Sequence, residues 1–136
     1  MSDCLFCKIA AGEIPSATIY EDEEFRVFLD LGPATKGHAL IVPKTHAANL
    51  YELPDEVVAK AFILAKKMIT AMTKVLGCDG YNIVQNNGEA AGQTVHHFHI
   101  HLIPRYEGDN AGILWTPGTL SDEDKEDILA KVQGVF

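Results

Sequence analysis

A chain of 136 residues with 47% hydrophobic and 22% charged residues has the composition of one compact domain that can bury its own core. Its net charge of −8 argues against a general nucleic-acid or membrane surface, both of which favour basic patches, so an anionic ligand would need local donors. No apolar run approaches a membrane span and no basic leader with an apolar signal segment is present, which makes the cytoplasm the default location.

Three cysteines, an odd number in such a chain, fit reduced thiols or metal ligands better than a disulfide framework. Cys4 and Cys7 fall on a short predicted helix over 4–11, capped by Ser2 or Asp3 and stopped at Gly12. Their spacing puts both thiols on one helix face. As a lone C-x-x-C it is equally a pair of small buried hydrophobes. A thioredoxin-like role is disfavoured because no strand precedes it.

Residues 17–21 and 24–29 read as an antiparallel hairpin, and 37–44 as a third, buried strand with His38 at its entry and His46 just beyond it. Asp30, before Gly32 and Pro33, reads by itself as a turn-initiating carboxylate. The clearest helix is 57–76, with Asn49 and Asp55 as candidate caps and Gly77 as its stop. Its apolar stripe is Val58, Ala61, Phe62, Ala65, Met68, Ile69, Met72, Val75 and Leu76. A fourth strand covers 81–85. The loop 86–94 enters a strand and so cannot be a Walker phosphate loop. It is either a plain hairpin loop or a small anion nest made by the Gly92 and Gln93 amides with the Thr94 hydroxyl.

Four of the six histidines then come together. His97, His99 and His101 alternate with Phe98, Ile100 and Leu102, so on an extended strand ended by Pro104 the imidazoles share one face and the apolar residues anchor the other. His96 lies on the apolar side of that alternation. Three polar rings in a row are costly to bury unless each has a partner, a metal or a ligand. Ser121 to Asp124 is a capping-box-like start for a last helix to about Val132. Strands joined mainly by hairpins around one long helix favour an α+β fold with an antiparallel sheet.

The segment from His97 to Ile103 resembles the alternating histidine signature of the histidine triad nucleotide-binding proteins. Cys4-Leu-Phe-Cys-Lys-Ile9, Gly12-Glu-Ile-Pro15, Gly37-His38, Val42-Pro-Lys-Thr-His46, Asn86-Asn-Gly88 and Gly92-Gln-Thr94 resemble that family in the same order. The likeness runs from Cys4 to about Arg105 and is closest to the purine nucleoside phosphoramidase branch. It implies a five-stranded antiparallel sheet with one long helix and short terminal helices. It also implies a homodimer in which two sheets join. The chain then reads as a single domain over 1–136 whose C-terminal extension, 106–136, packs on or near the partner. Trp115-Thr-Pro-Gly118 resembles a segment that reaches the partner's site in some relatives, and an exposed loop tryptophan is the other reading.

The resemblance further implies that Leu5, Phe6, Ile9 and Phe28 hold a purine of AMP or GMP type. Asp30 would take the ribose hydroxyls, and Asn86, Gly92, Gln93, Thr94, His99 and His101 would surround the α-phosphate. His38 would support the histidines. It implies a structural zinc on Cys4, Cys7, His46 and His97, a donor set suited to tetrahedral zinc, and no organic cofactor. From the residues themselves, His99 is the natural nucleophile, because imidazoles flank it and a neutral imidazole both attacks phosphorus and leaves from it. Histidine at position 101, where related uridylyltransferases carry Gln, points toward hydrolysis. A phosphoramidase, a dinucleoside polyphosphate hydrolase and a non-catalytic nucleotide-binding or scaffolding protein are the readings to separate.

Overall fold

The computed structural model describes residues 3–136; Ser2, one of the two caps expected for the first helix, lies outside them. That helix, α1 (Leu5–Ala10), is capped instead by Cys4, whose thiol accepts the Cys7 amide at 3.4 Å. The thiol thus replaces the usual Ser or Asp oxygen at a helix start.

β1 (Thr18–Glu21) and β2 (Phe25–Leu29) form the expected hairpin. Asp22 closes its turn by accepting the Glu24 and Phe25 amides, both at 2.8 Å. With β3 (Ala39–Pro43), β4 (Gly80–Val84) and β5 (Ile100–Arg105) they make a five-stranded sheet in the order β1-β2-β3-β5-β4, and every neighbouring pair is antiparallel. A third helix, α3 (Asp122–Gln133), follows the sheet.

All five β3 residues are buried because both faces of the strand are covered. Ala39 and Ile41 belong to the core under the long helix, together with Val27, Phe98, Ile100 and Leu102. Leu40 and Val42 face the other way and pack with Phe6, Ile9 and Phe28 beneath α1. Strand alternation therefore divides the molecule into a helix side and a site side, and His101, paired with Leu40, is on the site side.

Several expectations need correction. The long helix, α2 (Asp55–Leu76), starts at Asp55, with Pro54 as N-cap and no side-chain cap. Asn49 accepts the Glu52 amide in the preceding turn at 3.3 Å. Its buried face is Val57, Ala61, Leu64, Ala65 and Met68, whereas Phe62 and Val75 are 41% and 84% exposed. The small Ala61 and Ala65 let the helix settle on β3, and the apolar stripe is wider than the contact.

Regular pairing of the histidine strand begins only at Ile100, so His97 and His99 stand in its lead-in. His96 is exposed there, not on the apolar side. Pro104 lies inside β5, opposite Tyr81, and its carbonyl accepts the Thr35 hydroxyl at 2.5 Å.

α3 is capped as expected, Ser121 Oγ accepting the Asp124 amide at 3.1 Å. It buries no residue, and Leu114 and Trp115 are 85% and 84% exposed. The arm leading to it is held at its root, where Arg105 bonds both Asp109 oxygens and the Ala111 carbonyl. No helix among the described residues is long and apolar enough to cross a membrane.

Candidate active site

On the site side of the sheet an apolar pocket of about 350 Å³ opens between α1, β2 and the histidines, a size in the range of small-molecule sites. Leu5, Phe6, Ile9, Phe28, Asp30, Thr94, His99 and His101 all line it, as do Leu40 and Val95, which sequence reasoning missed. The inward alternation of β3 could have revealed Leu40. Phe6 stands edge-on to Phe28 at 5.8 Å and to His99 at 4.9 Å, joining the apolar end of the pocket to its polar end. Asp30 Oδ1 accepts the Gly32 amide at 2.8 Å, and Oδ2 lies 3.6 Å from His38 Nε2.

Main-chain groups decide which nitrogen of each imidazole carries a proton. His99 Nδ1 is 2.7 Å from the His97 carbonyl, an oxygen that can only accept, so Nδ1 is protonated and Nε2 keeps its lone pair. The Ala34 amide donates to His38 Nδ1 at 3.0 Å, which places the His38 proton on Nε2. That proton is donated to His101 Nδ1 at 2.9 Å, leaving His101 with Nε2–H. The result is one nucleophilic nitrogen beside one proton-bearing nitrogen, on rings 5.0 Å apart.

All four rings are held neutral. Burial lowers the pKa of His38, His97 and His99 below the ordinary imidazole value. Burial, then the neighbouring His99 and His38, push His101 down to about 4. Asp30, His38 and His101 lie close enough to share a metal. However, the Ala34 bond requires a proton on the one His38 nitrogen that would ligate, so this trio is better described as a hydrogen-bonded relay.

Of the two readings of the loop 86–94, the structure fits the plain loop, because the amides of the alternative anion nest are already engaged. The Gly92 and Gln93 amides donate to the Glu89 and Gly88 carbonyls at 2.9 and 3.1 Å. The Gln93 side chain is buried and turned inward, accepting the Gly88 amide at 2.8 Å and donating to the Ala48 and Val95 carbonyls at 2.6 and 3.1 Å. Gln93 therefore staples the loop. Gly92, at φ +97°, lies against the Asn86 side chain, and neither residue is in the pocket's lining.

A second cluster adjoins the first. His97 Nε2 donates to the Pro43 carbonyl at 2.8 Å, so its Nδ1 lone pair faces the Cys4 and Cys7 sulfurs at 3.4 and 3.5 Å and His46 Nδ1 at 3.1 Å. Cys7 Sγ is 3.3 Å from His46 Nδ1. Tetrahedral zinc has S···N edges of about 3.5 Å and N···N edges of about 3.3 Å, so the four donors fit that ion closely. Burial and the adjacent Cys4 push the Cys7 thiol up to about 11, which makes metal uptake a proton-releasing step.

An antiparallel sheet carrying alternating histidines at the polar end of an apolar pocket defines a histidine-triad protein. The HIT domain profile matches residues 11–108, and the chain belongs to that family. Adenosine 5'-monophosphoramidase HNT1 of Saccharomyces cerevisiae is 42% identical over 136 residues, covering 96% of this chain and 84% of the relative. A crystal structure from Streptococcus mutans UA159 matches with TM-score 0.93 at 42% identity, covering 98% of this chain and 85% of that one. A zinc-bound histidine triad family protein from Mycobacterium smegmatis matches with TM-score 0.78 at 37% identity, covering 99% of both chains.

Proposed function

We propose that this protein hydrolyses purine nucleoside phosphoramidates to nucleoside monophosphate and amine through a covalent nucleotidyl-histidine on His99. The observation that carries the reading is the fixed His99 tautomer: Nδ1–H is held by the His97 carbonyl, so Nε2 in a pocket-lining residue is an unprotonated nucleophile. Similarity to a named adenosine monophosphoramidase supports the substrate class.

The purine lies against Phe6, Ile9 and Phe28 and the ribose hydroxyls on Asp30. Nε2 of His99 attacks the α-phosphorus, and the bond from phosphorus to the amine nitrogen breaks. The imidazolium formed on His99 is stabilised by its charge-assisted bond to the His97 carbonyl. A bound phosphate favours charged imidazole, so the His38–His101 pair takes up a proton with the substrate and passes it through His101 Nε2 to the departing amine. Water then attacks phosphorus, giving its proton back to the pair, and the bond to His99 breaks. Thr94 and the His101 N–H contact phosphoryl oxygens.

Zinc on Cys4, Cys7, His46 and His97 would be structural, fixing the His97 ring and backbone from which His99 takes its tautomer. The pairing of two copies through their sheets, with the C-terminal extension near the partner, belongs to the same reading.

The test is single-turnover hydrolysis of an adenosine phosphoramidate, with trapping of adenylyl-protein by acid-free mass spectrometry. Wild type should form the adduct on His99, while His99→Ala should bind AMP and turn over at least about 10⁴-fold more slowly. Equal turnover by the two proteins would reject the covalent route. A diadenosine polyphosphate assayed in parallel separates the phosphoramidase from the dinucleoside polyphosphate hydrolase. Absence of turnover on both substrates would leave the non-catalytic binding protein.

A further inference from the structure

Five polar side chains line the pocket, those of Ser16, Asp30, Thr94, His99 and His101. The nucleotide reading gives tasks to four of them, on the ribose and the phosphate, and leaves Ser16 without one. Two residues before it, Ile14 packs against the cluster of Phe6, Ile9 and Phe28, so Ser16 borders the apolar end of the pocket. An apolar slot grips a flat ring by its faces but leaves its rotation in the plane unset; orientation in such sites comes from a small number of placed polar groups.

The Ser16 hydroxyl lies 2.8 Å from the Thr18 hydroxyl, and by that distance alone either could be the donor. Arg26 decides between them. Its guanidinium is held by Glu21 through Nη2 at 2.9 Å and donates from Nη1 to Thr18 Oγ1 at 3.2 Å. A guanidinium has no acceptor, so the Thr18 oxygen accepts from it. An oxygen that accepts from a cation is polarised into a better donor, which makes Thr18 the donor and Ser16 the acceptor between the two hydroxyls. The Ser16 proton is thereby turned away from Thr18, the only hydrogen-bond partner of this side chain among the described residues. The Thr18 amide also donates to the Ser16 carbonyl at 2.9 Å, a tight turn that fixes the segment carrying both hydroxyls.

We propose that Ser16 orients the base, donating its O–H to an unprotonated ring nitrogen of the purine. The proposal rests on the nucleotide reading above and narrows it to bases that present such an acceptor. Adenine offers N1, N3 and N7, whereas guanine offers N3 and N7 because its N1 carries a hydrogen. Thr18 and Arg26 are positioning residues, which act on the base through the direction they give to the Ser16 proton.

Calorimetric titration with AMP and with 1-deaza-AMP, 3-deaza-AMP and 7-deaza-AMP, each with one ring nitrogen replaced by C–H, tests the proposal. Wild type should bind one of the three analogues about fivefold more weakly than AMP, the size expected of one neutral hydrogen bond. Ser16→Ala should bind AMP and that analogue equally. Thr18→Val, which leaves the Ser16 hydroxyl free to turn, should shrink the difference, and Thr18→Ser should preserve it. Wild type that binds AMP and all three analogues alike would overturn the assignment, as would a difference that persists in Ser16→Ala. A difference unchanged in Thr18→Val would overturn the hydroxyl chain as what directs Ser16. In each of these outcomes AMP still binds and the nucleotide reading stands; if wild type binds no AMP, that reading falls and this inference with it.

Discussion

Replacing His101 with Asn isolates the cost of keeping a buried imidazole neutral. In the folded protein burial and two neighbouring rings hold His101 at about 4, against 6.5 for a free side chain. Between these values the unfolded chain binds a proton that the native state refuses, so the contribution of His101 to stability is complete above 6.5 and is lost as pH falls toward 4. Each tenfold difference in proton affinity between the two states is worth about 1.4 kcal/mol, and the loss between pH 7 and pH 5 comes to about 2 kcal/mol. Urea unfolding of wild type and His101→Asn at the two pH values, at fixed metal content, measures it. The acid groups common to both proteins cancel in the comparison, and wild type should lose about 2 kcal/mol more than the variant. An equal loss in the two proteins would show that His101 titrates normally and would refute the burial reasoning.

Gly37 adopts φ +95°, and a Cβ there would stand 2.6 Å from Leu76 Cδ1 and 3.2 Å from Pro104 Cγ. Gly37→Ala should therefore cost about 2–4 kcal/mol in chemical denaturation through backbone strain plus overpacking. Gln93→Ala strips three side-chain hydrogen bonds and should cost about 2–4 kcal/mol, with faster amide exchange at Gly88. Cys7→Ser should abolish bound zinc as measured by elemental analysis and lower the melting temperature. Protein that carries no zinc in either form, with unchanged stability, would dismiss the metal.

The parts of the fold that follow from short-range periodicity were legible in the chain. The hairpin, the buried β3, the long helix and the capped α3 all arise from alternation, 3.6-residue patterning or a local cap. What escaped was set by tertiary contact. The α2 face was shifted because packing on the sheet buries Val57 and Leu64 beside the expected Ala61, Ala65 and Met68 and leaves Phe62 exposed. Gln93 looked like part of an anion loop, and only the fold shows its amide facing the Ala48 carbonyl. The approach of Cys7 to His46 and of Cys4 to His97 spans stretches of chain that no local pattern connects. Family resemblance named those four residues, and the geometry brings their donor atoms together. The regular strand begins only after His99, yet the one-face arrangement of the triad survived because an extended lead-in alternates as a strand does.

Three atoms that decide the protonation pattern, the carbonyls of Pro43 and His97 and the amide of Ala34, belong to the main chain. Every amino acid supplies a carbonyl, and every one except proline supplies an amide hydrogen. The instructions for where each proton sits are thus insulated from most substitutions at 34 and 43. They are vulnerable to changes of chain length, since a single residue inserted between Asp30 and His38 would move the amide away from the ring it addresses. Sequence drift at position 34 should consequently be free in residue type, proline excepted, while the spacing of the loop is strict.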